Sequence, residues 1–274
     1  MKNILKTMYI RDGRMKKLIL VFLLISSSVY AIEKKVISLA PNITEIIYFL
    51  GLEKHLIANT IYCNYPEEAK KLPKIGDLWN FDVEKIVEFN PDFVLASFSG
   101  NSKTGVERLE NLGIKVYTLK EETVNDILSN IVFVGSLYNI SAEEKVKSLY
   151  SKITNLKLQN KKNKALFLIS IKPYYSVSTN TFISDVLRIA GFENVINSKV
   201  RYPLLTEEEI IKLKFDFLIL PENLKSEEKF IKGKMLDLGK NPKIVFINED
   251  RISRPGPRVF DTIVELSKFN EKKY

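Results

Sequence analysis

Short apolar runs alternate with amphipathic segments of helical length from Val36 to about Lys120, stop, and resume at about Ala165. Such alternation builds a mostly parallel sheet, because each helix carries the chain back across one face before the next strand begins. The interruption constrains the fold just as strongly. Val124 to Tyr138 places apolar residues at 124, 127, 128, 131, 134, 137 and 138, which is a helical period. Ser141 to Glu144 then reads as a capping box opening a second helix. That helix is expected to run to about Gln159, a rod of about 28 Å at the usual rise per residue. The expected fold class is α/β, with two Rossmann-like lobes of mostly parallel sheet joined by one long α-helix. The expected boundaries are 34–121 for the N-terminal α/β lobe, 122–160 for a helical linker that includes the backbone helix, and 164–274 for the C-terminal α/β lobe.

Local signals fill in this outline. Val36 to Ala40 is an apolar β run that Pro41 stops, and Asn42 to Glu45 has the form of a second capping box. Gly51, Gly113 and Gly191 follow helical stretches as C-terminal stops, and Asn139 can take the same left-handed turn. Asp82 and Thr206 stand where helices begin, with Glu209 spaced to close a capping box on Thr206.

Ahead of the first lobe lies a different pattern. Met15-Lys16-Lys17 is basic, Leu18 to Ile25 is wholly apolar, and Val29-Tyr30-Ala31 is small-x-small. That order describes a signal peptide over residues 1–31, with Met15 an alternative start. The apolar run is shorter than the roughly 20 residues that span a bilayer. Export, with a soluble protein in the periplasm, is the expected localisation, since no cysteine marks a lipid anchor at the end of the signal. Without residues 1–31 the chain has 36 basic and 32 acidic residues, a net charge of +4 rather than +9. No basic run interleaves with aromatics, so nucleic acid is not an expected partner. Cys63 is the only cysteine and His55 the only histidine. An intrachain disulfide and a zinc site of several histidines are therefore ruled out. His55, in a helix-to-strand turn, reads as an ordinary surface residue. There is no Gly-x-Ser-x-Gly elbow, P-loop or metal cluster to suggest an enzyme.

Seven segments, in order, resemble the periplasmic binding proteins of the helical-backbone class (cluster A-III), which serve ABC importers of cobalamin, haem and ferric siderophores. They are Val36-Ile-Ser-Leu-Ala-Pro-Asn-Ile-Thr-Glu45, Tyr62-Cys-Asn-Tyr-Pro66, Trp79-Asn-Phe-Asp-Val-Glu-Lys-Ile86, Asn90-Pro-Asp-Phe-Val94, Leu112-Gly-Ile-Lys-Val116, Gly191-Phe-Glu-Asn-Val195 and Arg254-Pro-Gly-Pro-Arg258. The Tyr-x-x-Tyr-Pro loop and the Trp79 segment most resemble the cobalamin-binding branch. The resemblance implies no catalysis and no resident cofactor. It implies a corrinoid or another metal chelate as bound ligand, and a permease and ATPase complex of an ABC importer as partner to a monomer. A ferric siderophore or haem is the alternative ligand, with Arg251, Arg254 and Arg258 available to anionic groups. An exported two-lobed α/β enzyme is the remaining reading.

Candidate ligand residues come from two directions. In α/β sheets ligands sit beyond the carboxyl ends of strands, where Asn42, Tyr62 and Ser97 to Asn101 fall. Rigid aromatics suit a flat, partly polar guest. Trp79, Tyr62, Tyr175 and Tyr202 are the aromatic candidates, and Tyr65 reads as packing. Resemblance places Tyr202 where the cobalamin binders carry a tryptophan. Arg251 stands where those proteins also carry an aromatic, a departure that leaves a guanidinium able to stack or to pair with an anion. Resemblance also implies permease docking by one acid per lobe, Glu84 and Glu208. Both residues lie in the first turns of helices, where acids also favour the helix dipole.

Overall fold

The computed structural model describes residues 34–158 and 162–270. The signal-peptide reading of residues 1–31 lies outside the described residues. Four strands form the first sheet: β1 (Val36–Ser38), β2 (Leu56–Asn59), β3 (Phe93–Ser97) and β4 (Val116–Leu119). Their order is β2-β1-β3-β4 and every pairing is parallel. Helices α1 (Pro41–Leu50), α2 (Val83–Glu88) and α3 (Lys103–Asn111) make the crossovers. Helices α4 (Val124–Leu137) and α5 (Glu143–Thr154) follow with no strand between them.

The second sheet is built on β5 (Asn163–Ile171), with β6 (Tyr174–Ser176), β7 (Phe192–Asn194), β8 (Leu204–Leu205), β9 (Phe217–Pro221) and β10 (Lys243–Ile247). Its order is β10-β9-β5-β6-β8. Along one edge of β5, the first half pairs with β7 in parallel and the second half with β6 antiparallel. Helices α6 (Phe182–Ile189), α7 (Glu207–Lys212), α8 (Glu228–Asp237), α9 (Glu249–Ser253) and α10 (Val259–Ser267) complete this half. The expected α/β architecture with mostly parallel sheets is present.

Strand alternation explains the layering. In β3, Phe93 and Leu95 point to one face while Val94 and Ala96 point to the other. In β9, Phe217 and Ile219 separate in the same way from Leu218 and Leu220. A period of two sends alternate residues to opposite faces, so strands covered on both faces become continuous apolar runs. The outer faces form two separate cores, one per sheet. The inner faces of both sheets belong to one shared core, which also takes Ile127, Ile131 and Val134 of α4 and Leu149 of α5. The chain from Lys35 onward is accordingly one compact unit. No helix among the described residues is long and apolar enough to cross a membrane.

Four local readings need correction. The second linker helix ends at Thr154, not near Gln159, so the rod is about 18 Å long rather than about 28 Å. The Ser141 capping box does not form; Ala142 is the N-cap and makes no side-chain cap. In the linker a box forms instead at the head of α4, where Thr123 and Asp126 cap each other. Asn42 does not cap α1 either, because Pro41 already occupies the first turn and Ala40 is the extended N-cap residue. His55 is half-buried, with its ring 4.6 Å from that of Tyr138. The left-handed Asn139, Gly51, Gly113 and Gly191 are found as expected, as are the Asp82 cap and the Thr206–Glu209 box.

Glu45 is drawn away from its own helix terminus by a distant cation. Its carboxylate accepts from Arg258 Nε and Nη2 at 2.9 and 2.5 Å, and Arg254 lies 3.5 Å away. The carboxylate side chain is 2% exposed. Tyr65 stacks over the Arg258 guanidinium at 4.0 Å, the packing role expected of it. Removing one partner of a buried pair strands the other charge, at a cost of about 3 kcal/mol or more. Glu45→Ala is therefore predicted to lower the unfolding free energy by about 3 kcal/mol, and Glu45→Gln by less. Urea unfolding followed by circular dichroism checks this; a loss under 1 kcal/mol for Glu45→Ala would refute it.

Candidate functional site

All four parallel strands of the first sheet deliver their carboxyl ends to one cleft. The segment after β1 contributes Ala40, Pro41 and Asn42, and the loop after β2 contributes Tyr62. The loop after β3 contributes Ser97, Ser99 and Gly100, and the residue pair after β4 contributes Glu121. The other half supplies Phe182 from the start of α6, Arg201 and Tyr202 from the loop before β8, and Ser253 to Pro255 from the end of α9. The cleft has a volume of about 380 Å³. A larger hollow of about 590 Å³ lies around Asp185, Arg188 and Asn194. From the first sheet it takes only Glu122 and Thr123, after β4, and it borders the undescribed residues 159–161 at Lys162, so the cleft, fed by all four strand ends, is the better candidate site.

Asn101 holds the first wall together. Its side-chain oxygen accepts from the Ser97 N–H, and its amide nitrogen donates to the carbonyls of Leu39 and Leu78 at 2.9 and 2.8 Å. One buried amide thus ties the β1 end, the β3 end and the 78–80 turn. Below them, the hydroxyls of Ser97 and Ser99 both donate to Glu121 Oε1. The Gly100 N–H donates to Ser97 Oγ at 2.8 Å. Glu121 is 3% exposed. Burial, opposed in part by the hydroxyls of Ser97 and Ser99 and by the backbone N–H groups of Ser99 and Phe98, pushes its carboxyl up to about 7.

The cleft arginines are already engaged. Arg201 meets Glu122 at 3.3 Å, which also links the two halves. Arg254 bonds Asp250 at 2.7 Å and Asn64 Oδ1 at 2.6 Å. Among the described residues, no three His, Cys, Asp or Glu side chains gather as a metal site.

The structure brings Asn42, Tyr62, Tyr202, Arg254 and the loop after Ser97 together at this cleft and leaves Trp79, Tyr175, Arg251, Arg258, Glu84 and Glu208 outside its lining. Trp79 is 63% exposed. The Asp77 carboxylate accepts from the N–H groups of Trp79 and Asn80, a tight turn in which Leu78, not Trp79, lines the cleft. Tyr175 stands on β6 beside Leu204 with an exposed side chain. Arg251 turns to Glu265 on α10 at 3.2 Å, and Arg258 is taken by Glu45. Glu84 is exposed and pairs with Arg108 at 2.5 Å. Glu208 is exposed at the head of α7, while its neighbour Glu207 pairs with Lys234. Leu78, Phe182, Arg201 and Glu121 were not picked out by sequence. Only Glu121 carried a signal, as the second residue past a strand end.

Comparison with known proteins gives a consistent picture. The model of the family described as "Periplasmic binding protein" matches residues 36–242. The vitamin B12-binding protein of Vibrio vulnificus is 31% identical over 262 residues, covering 92% of this chain and 96% of that one. The crystal structure of the periplasmic vitamin B12-binding protein of Vibrio cholerae superposes with a TM-score of 0.77 at 23% identity, over 88% of this chain and 98% of that one. A periplasmic haem-binding protein of the same organism superposes at 0.74 with 19% identity, over 86% and 98%. At those identities the two structures speak for the fold.

The raised Glu121 carboxyl gives a signed pH dependence. A carboxyl held higher in the folded than in the unfolded state contributes stability below the unfolded value near 4.5, and that stability is lost as pH rises through about 7. Between pH 5 and 9 the wild type is predicted to lose on the order of 3 kcal/mol relative to Glu121→Gln. Parallel urea titrations of both proteins measure the difference; identical pH profiles would contradict it.

Proposed function

The chain belongs to the periplasmic binding protein family, and from that premise we propose that it captures a corrinoid in the cleft and delivers it to the permease and ATPase of an ABC importer. The observation that carries this reading is a single cleft fed by the four strand ends of one sheet and closed by Phe182, Arg201 and Tyr202 from the other half. Tyr62 and Tyr202 stand there about half exposed, at 50% and 49%. Large rigid side chains provide contact area at small entropic loss, which suits a broad, flat guest. Phe98 and Trp79, exposed in the loops that carry Ser97 and Leu78 of the lining, offer further apolar surface to a broad guest.

Charge compensation favours the corrinoid over an anionic chelate. Arg201 and Arg254 already have carboxylate partners, and Arg251 and Arg258 face away. An anionic siderophore or a haem propionate would have to displace those partners. The protein acts in the periplasm, binds without turnover, and works as a monomer. Glu84 and Glu208, exposed acids on the two halves, dock onto the permease, where charge pairs at a rim set orientation and encounter rate.

Fluorescence titration with cyanocobalamin, haemin and a ferric hydroxamate tests the ligand. Trp79 is the only tryptophan, and its emission is predicted to fall on cyanocobalamin addition, with weaker or no response to the other two. Tyr202→Ala should weaken cyanocobalamin binding by roughly 30-fold, the loss of an aromatic anchor worth about 2 kcal/mol. Tight binding of haemin alone would replace the corrinoid, and silence towards all three would remove the ligand class. For docking, Glu84→Ala with Glu208→Ala should leave cyanocobalamin affinity within about twofold and reduce ligand-stimulated ATPase of the reconstituted importer several-fold. Unchanged stimulation would rule out these two acids.

A further inference from the structure

The floor of the cleft contains two polar atoms that make no hydrogen bond, although the backbone N–H groups of Phe98 and Ser99 face the Glu121 carboxyl. Asn42 and Glu121 both line the cleft, and they are only 5% and 3% exposed. Asn42 Nδ2 and Glu121 Oε2 are buried and make no hydrogen bond. Leaving such an atom unpaired is destabilising, and buried polar groups are otherwise almost always paired. The rest of the Glu121 carboxyl is committed, because Oε1 takes the hydroxyls of both Ser97 and Ser99. The loop is shaped to keep it so: a β-carbon on Gly100 would come within 2.7 Å of Ser97 Oγ. The floor is thus a built feature with one donor and one acceptor left over.

Their opposite polarity narrows what can satisfy both. A primary carboxamide presents a carbonyl acceptor and N–H donors on one plane, matching an amide N–H on one side and a carboxylate oxygen on the other. A carboxylate offers acceptors alone and would set its charge against that of Glu121. Corrinoids bear primary carboxamides around the ring, whereas haem bears carboxylates. We propose that Asn42 and Glu121 form an amide-reading pair, in which Asn42 donates to the carbonyl of a ligand carboxamide and Glu121 accepts from its N–H. This rests on the corrinoid reading above and makes the two residues determinants of specificity. Both atoms are closed to water in the unliganded cleft. Rotation about the terminal bond of each side chain, a soft torsion, brings them to the entering amide.

The test compares two corrinoids that differ only at the periphery: dicyanocobinamide, which bears carboxamides, and dicyanocobyrinic acid, which bears carboxylates. Calorimetric titration at pH 8 should give the wild type at least a tenfold preference for the amide form. Glu121→Gln puts an N–H₂ donor where Oε2 accepts, and should shrink the preference to within about threefold. Asn42→Asp, which turns the remaining donor into an acceptor, should shrink it similarly, and it serves if the first variant fails to fold. Equal binding of both corrinoids by the wild type, or a preference that both variants retain, would overturn the amide assignment and leave the corrinoid reading standing. Binding of neither corrinoid would overturn both.

Discussion

The pairing of Glu45 with Arg258 joins the two ends of the described chain at the place where function is expected. The carboxylate sits in the second turn of α1, just beyond the strand end that delivers Ala40 to Asn42. The guanidinium stands at the head of α10, just beyond Ser253 to Pro255 of the opposite wall. A planar fork meeting a carboxylate through two parallel bonds fixes distance and angle together, so the two walls share one register. The fit around the pair is close: a β-carbon on Gly256 would meet Glu45 Oε2 at 3.2 Å and the Asn42 backbone at 3.6 Å. Tyr65, stacked on the guanidinium, seals the other side.

Much of the architecture was legible because the strands are short, buried and apolar on both faces. That pattern has few other readings when helices separate the strands. Strand-end geometry then pointed to Asn42 and Tyr62, which do line the cleft. Sequence failed where a distant group overrode a local rule. Asn42 to Glu45 has the spacing of a capping box, yet the carboxylate bonds an arginine 213 positions away. In the tryptophan segment nothing local tells which of Leu78 and Trp79 a tight Asp77 turn sends into the cleft lining; the structure sends Leu78 there. Helix α8 escaped notice because its apolar residues form no single stripe: Ile231 and Met235 are buried while Phe230 and Leu236 are exposed. Arg251 looked available until Glu265, on the next helix, was placed beside it.

The cleft combines two chemically different layers. Its rim is apolar and aromatic, with arginines whose charge is matched within the protein. Its floor is polar and nearly dry, organised by Asn101 and by the serine pair that supports Glu121. A buried carboxyl among hydroxyls is expensive to keep ionised, which is why its titration moves towards neutrality. Such groups are concentrated where proteins handle ligands.

The single core running under both sheets has a mechanical consequence. Opening the gap would mean disrupting the core that the inner faces of both sheets share with α4 and α5, and well-packed interiors deform little. The molecule therefore works like a fixed-jaw gauge rather than a hinged clamp. A guest enters and leaves a gap of nearly constant width, so its residence time reflects the contacts it makes there. Faster unloading then calls for outside force, supplied by whatever the protein delivers to.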